Sequence, residues 1–147
     1  MDTPRRSVRS LTVELADTSA WTNRHKDEEV RADFDERMFA GDIGACWMVA
    51  LELLWTARNA SDFRELREEF EALPRVAIAA DVWERAADVW EELVRRGRHR
   101  EITPPDLLIA AAAELAGVGI CHYDRDYETI ATVTGQPVRA IAPLGSL

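Results

Sequence analysis

Residues 102–131 read ITPPDLLIAAAAELAGVGICHYDRDYETIA, and this stretch decides the architecture. Thr103 followed by Pro104 is a helix start: an N-cap, then the residue whose missing N–H costs nothing in a first turn. The run Ala110 to Ala113 carries the helix onward with small side chains that let it lie close to a sheet or another helix, and Gly117 ends it. Gly119 to Tyr123 then reads as a strand, and Tyr127, Ile130 and Ala131 mark the helix that follows. The pattern extends in both directions. Leu11 to Ala16 reads as a strand, and Val30, Phe34 and Met38 recur at i, i+4, i+8 as a helical stripe. Ile43 to Cys46 is a second strand, running into an apolar helix, Trp47 to Ala57. Phe63, Leu66, Phe70 and Leu73 mark the buried face of the next helix, which Pro74 stops. Val76 to Ala79 is a strand or the entry to a further helix, where Trp83, Ala86, Ala87, Trp90 and Leu93 keep the 3.6 period as far as Gly97. Val138 to Ile141 is a last strand. Strands alternating with helices imply an α/β sandwich with parallel pairing, whose ligands bind beyond the carboxyl ends of the strands.

A chain of 147 residues with 47% hydrophobic side chains has the length and apolar content of one domain with one core. Cys46 and Cys121 lack CxxC spacing, so a disulfide framework or a zinc site is not expected. The uncharged run from Ile43 to Leu51 is too short for a membrane span, and no apolar stretch follows Arg5 and Arg6 to make an export signal. The expected location is the cytoplasm. Net charge is -9; the first ten residues carry +2 and read as a flexible tail, leaving -11 for residues 11–147. That balance is unlike an ordinary nucleic-acid binder and suits a cation or a basic partner.

Four carboxylates stand where carboxylates are expensive. Asp17 is the only charge between Glu14 and Arg24, Glu52 the only one from Ile43 to Ala57, and Asp106 is alone between Glu101 and Glu114. An ionised carboxylate in an apolar segment costs several kcal/mol unless a cation or strong donors compensate. Asp17 and Asp124 each follow a strand, so parallel pairing puts both at one edge of the sheet. The set offers hard oxygen donors of the kind Mg²⁺ or Mn²⁺ prefers. Each residue also has a local reading. Asp17 fits an Asx turn, Asp106 a capping box with Thr103, and Asp124 an N-cap; Glu52, between Leu51, Leu53 and Leu54, needs solvent or a partner.

At these residues the chain resembles the PIN-domain nucleases, and within them the VapC-type toxins of toxin-antitoxin pairs. The resemblance rests on LADTSAW (15–21), ALELL (50–54), ITPPDLLIAAAAE (102–114) and HYDRDYETIA (122–131), in the family's order. It implies a three-layer α/β/α sandwich and a metal-dependent endoribonuclease that hydrolyses RNA, often a structured RNA such as tRNA. Asp17, Glu52, Asp106 and Asp124 would hold Mg²⁺ or Mn²⁺, with Asp126 as an addition and Thr18 and Ser19 as second-tier candidates. It further implies a homodimer and inhibition by a VapB-type antitoxin. Where the family often has Thr or Ser, this chain has His122, expected to be packed or hydrogen-bonded rather than a ligand. Arg95, Arg96, Arg98 and Arg100 are candidates for RNA phosphate contact or for complementing a helix C-terminus. Trp21 is the candidate for base stacking. The alternatives are a PIN-like binding module without catalysis and a receiver-like signalling domain, though the only lysine, Lys26, is wrongly placed for the latter.

Overall fold

The computed structural model describes residues 13–147; the expected tail, Met1 to Ser10, lies outside them, as do Leu11 and Thr12. Strand β1 is Glu14–Ala16, shorter than the apolar run suggested, and Asp17 then turns the chain into helix α1 (Thr18–Asn23). A single 3₁₀ turn leads to α2 (Glu28–Phe39), capped by Asp27, whose side chain accepts from the Val30 amide. Phe34 is its buried residue. Strand β2 is only Ile43–Gly44, while Ala45 pairs as a lone bridge with Arg75. A side chain on Gly44 would meet the Pro74 carbonyl at 3.3 Å, so glycine permits that close passage. Helices α3 (Trp47–Leu54) and α4 (Ala60–Glu71) follow, then α5 (Ala80–Arg95). Val76 to Ala79 is the entry to α5 and not a strand.

Helix α6 (Pro104–Ala116) has seven consecutive buried residues, Leu107 through Ala113, and ends on Gly117 at φ +71°. Helices buried all round need small side chains on the faces packed closest. The alanine run meets that need: α6 packs on α5, α7, α3 and β3. Strand β3 (Gly119–His122), helix α7 (Arg125–Thr134) and strand β4 (Val138–Ala140) complete the chain. The sheet is wholly parallel, in the order β2-β1-β3-β4, and with its flanking helices makes the α/β/α arrangement. No described helix is long and apolar enough to cross a membrane.

Two faces differ from the expected periodicity. On α5 the buried residues are Val82, Val89 and Leu93, whereas Trp83 is 61% exposed and Ala87 faces solvent. The helix carries two adjacent apolar rows, and the one containing the valines turns inward. On α4 only Phe70 is buried; Phe63 instead lines an open groove between α3 and α4. On the sheet, Arg139 donates to both carboxylate oxygens of Glu14 at 2.8–3.2 Å and to the Cys121 thiol at 3.3 Å, with Arg37 of α2 3.9 Å from Glu14. Burial pushes the Cys121 thiol up to about 12, so it stays protonated and inert. Cys46 is also buried and free.

Candidate metal centre

Register places the site. Ala16 pairs with Cys121, and the Asp17 amide donates to the Cys121 carbonyl at 2.9 Å, so β1 and β3 deliver Asp17 and the 122–126 loop to one edge. Asp17 is 4% exposed. Its Oδ2 caps α1 by accepting from the Ser19 amide at 3.0 Å, and its Oδ1 accepts from the Tyr127 hydroxyl at 2.6 Å. Asp124 caps α7: its Oδ1 accepts from the Asp126 amide at 2.9 Å. The turn and cap readings of both aspartates are therefore realised, and each cap fixes the orientation of its carboxylate.

Asp106 stands in the first turn of α6, near Asp124 and Asp126. One carboxylate oxygen from each of these three residues lies within 4.8 Å of the others, the group among the described residues that geometry alone selects as able to hold a cation. Clustering has a cost. Burial, then the charge on Asp17, pushes the Asp106 carboxyl up to about 7, and burial followed by Asp124 raises Asp126. Near neutral pH, in the absence of a cation, Asp106 thus retains a share of a proton that a bound cation would displace.

Tyr127 is the residue that sequence reasoning missed. It is fully buried, and its hydroxyl also lies 3.2 Å from Asp106 Oδ1, linking Asp17 to the three-carboxylate group. Burial and then the two carboxylates raise its phenol well above the ordinary value, so it acts as a donor. One proton cannot serve both carboxylates: the phenol donates to Asp17 at the shorter distance and stands 3.2 Å from Asp106, whose own proton is shared with Asp126. The available signal was that a tyrosine on a buried helical stripe must find a partner for its hydroxyl.

Glu52 is not in the compact group. It accepts from the Thr18 hydroxyl at 3.1 Å, and burial, opposed by that bond, raises its carboxyl, with Asp17 adding to the rise. Ser19 accepts from the Tyr123 amide at 2.9 Å, so both second-tier hydroxyls tie neighbouring parts of the site together. His122 is fully buried. Its Nδ1 accepts from the Asp124 amide at 3.0 Å and its Nε2 lies 3.1 Å from Glu128 Oε1; burial is the main cause lowering its pKa. It is packed and hydrogen-bonded, and is not one of the clustered ligand groups. Beyond β4 the chain returns to this loop, where the Leu147 amide donates to the Tyr123 hydroxyl at 2.7 Å.

The basic cluster is mostly neutralised. Arg95 pairs with Glu91 and Glu92, Arg96 with Glu92, and Arg98 with Glu101, whereas Arg100 makes no ion pair among the described residues. The stacking expectation for Trp21 is wrong. That indole is 7% exposed, edge-on to Phe34 and Phe70 and beneath Arg24, so no base can reach its face. A six-residue helix is too short for periodicity to show which face is buried.

An all-oxygen donor set without imidazole or thiolate fits a hard divalent cation. The PIN domain family model matches residues 15–133. Ribonuclease VapC18 of Mycobacterium tuberculosis is 40% identical over 137 residues, 92% of this chain and 99% of that protein. Ribonuclease VapC21 of the same species is 38% identical over 133 residues, 90% and 96% of the two chains. Among solved structures, a chain of the DNA-bound VapBC from Salmonella typhimurium matches with a TM-score of 0.70 at 17% identity, over 90% of this chain and 100% of that one. VapBC-1 from nontypeable Haemophilus influenzae gives 0.70 at 15% identity, over 88% and 98%. The structural likenesses carry the fold, and the family model spans Asp17, Asp106, Asp124 and Asp126, which leaves no place for a receiver-like domain: the chain belongs to the PIN domain family, among its VapC-type members.

Proposed function

We propose that this protein is a metal-dependent endoribonuclease toxin, neutralised by a VapB-type antitoxin. The observation that carries the reading is the convergence of Asp106, Asp124 and Asp126 beside Asp17, in a chain aligned over 92% of its length with a protein named a ribonuclease. Asp17, Asp106 and Asp124 hold the cation, which we take to be Mg²⁺ or Mn²⁺; Asp126 joins them, and Glu52 supports the rim through Thr18. When bound, such a cation supplies an activated water and positive charge opposite the phosphate. The protein's own part is orientation. Tyr127 keeps Asp17 and Asp106 at a fixed separation, the two caps aim Asp17 and Asp124, and no protein nucleophile is needed. Arg100 is the first choice for phosphate contact within the Arg95, Arg96, Arg98 and Arg100 group. Glu101, the next residue, already influences Asp126, so this turn borders the acidic group.

An RNA substrate points to the cytoplasm, and residues 11–147 are read as one PIN domain. The antitoxin has a surface to cover: an open groove of about 830 Å³ with Leu51, Leu54, Trp55 and Phe63 in its lining and Arg58 and Arg64 alongside. Trp55 there is 88% exposed. The direct test is cleavage of total RNA by purified protein with Mg²⁺ or Mn²⁺, with RNA-end sequencing to find the cut. Asp17→Asn and Asp106→Asn should lose activity by at least about 100-fold. Undiminished cleavage in excess EDTA, or by either variant, overturns the reading.

A further inference from the structure

We propose that His122 is a positioning residue of the cation site, its Nδ1 fixing the Asp124 amide and, through it, the directions of the Asp124 and Asp126 carboxylates. The inference rests on the reading of Asp124 as a ligand. Two bonds of the same type follow one another: His122 Nδ1 accepts from the amide two residues on, and Asp124 Oδ1 accepts from the amide two residues beyond that. Each is a side chain locking the backbone ahead of it, the arrangement that holds Asx and ST turns. An N–H pointing at Nδ1 requires that nitrogen to be bare. The proton of the neutral ring is thereby assigned to Nε2, where Glu128 accepts it.

The imidazole has little freedom to move. It is fully buried and tilted against the Tyr127 ring, with centroids 5.4 Å apart, while its own carbonyl accepts from the Ile141 amide at 2.9 Å. His122 is thus joined to β4 through its backbone and to both the loop and α7 through its side chain. The sheet passes its rigidity to the carboxylates through this ring. Partners of this kind orient ligand groups without touching the ion.

The experiment uses the full chain and compares His122→Leu, which fills the space but accepts nothing, with His122→Asn, whose carbonyl can accept the same amide. Mn²⁺ affinity is measured by calorimetry, with melting in EDTA alongside. The leucine variant should bind Mn²⁺ about 10- to 100-fold more weakly, and the asparagine variant should recover most of that loss. A merely structural role would lower the melting temperature of both and leave affinity unchanged. Leucine binding as wild type, or asparagine binding as weakly as leucine, overturns the proposal. Should the leucine variant not fold, ¹⁵N NMR of the wild-type ring decides: a bare Nδ1 and a slowly exchanging Asp124 amide support it, and a protonated Nδ1 overturns it. Wild type that binds no Mn²⁺ overturns the metal reading itself and this inference with it, an outcome distinct from binding that ignores position 122.

Discussion

Asp106 has the most consequential side chain of the acidic edge because its protonation follows directly from its neighbours. Its carboxyl sits at about 7 against an ordinary 3.8, so the folded chain holds a proton that the unfolded chain releases. The stability gained is complete below pH about 4 and is lost as pH rises through 7. In EDTA, Asp106→Asn should therefore melt with wild type near pH 4 and a few degrees above it at pH 8. An offset equal at both pH values would refute the shift. Cation affinity of the wild type should fall by up to about tenfold per pH unit below 7, measured by Mn²⁺ titration. Asp17 and Asp106 were legible as isolated charges, because burying a lone carboxylate needs a reason, and Asp124 as the residue that, like Asp17, follows a strand. Asp126 was undervalued since the sequence gives no distance between the starts of two helices. Tyr127 was read only as core, although it is at once core and donor.

Helix α6 shows what a run of small residues does between partners. Ala112 is buried against neighbours that approach closely, so Ala112→Leu should destabilise by about 1–3 kcal/mol in a chemical denaturation series. Leucine at Ala116, on the exposed end of the same helix, should stay within about 0.5 kcal/mol of wild type. Comparable losses at both positions would mean that the alanine run does not mark the close contact. Helix α5 tells the opposite story. Its exposed Trp83, Ala87 and Val94 form a row four and then seven residues apart, suited to the expected homodimer. Trp83→Glu should shift a dimer toward monomer in light scattering without lowering the melting temperature of the monomer; an unmoved dimer assigns the interface elsewhere. Element order and the parallel sheet were readable from alternating periods. Which of two apolar rows turns inward was not, since that depends on packing against α6 and α7.

At the scale of the whole molecule, a chain of net charge -9 has to present its few available cations to RNA locally. Arg95, Arg96 and Arg98 already face glutamates, so replacing them with glutamine should hardly alter the salt dependence of RNA binding. Arg100→Gln should reduce the slope of log affinity against log salt by about 1. A large change from the first three and none from the last would reverse the assignment. The return of the C-terminal segment to the site has a practical side. With the Leu147 amide on the Tyr123 hydroxyl, a polyhistidine tag fused after Leu147 would begin beside the residue preceding Asp124. Its imidazoles would compete for the same transition-metal ions from a position close to the carboxylates. Metal titrations and cleavage assays on such a fusion would report the tag as much as the enzyme, and a removable tag keeps the two apart.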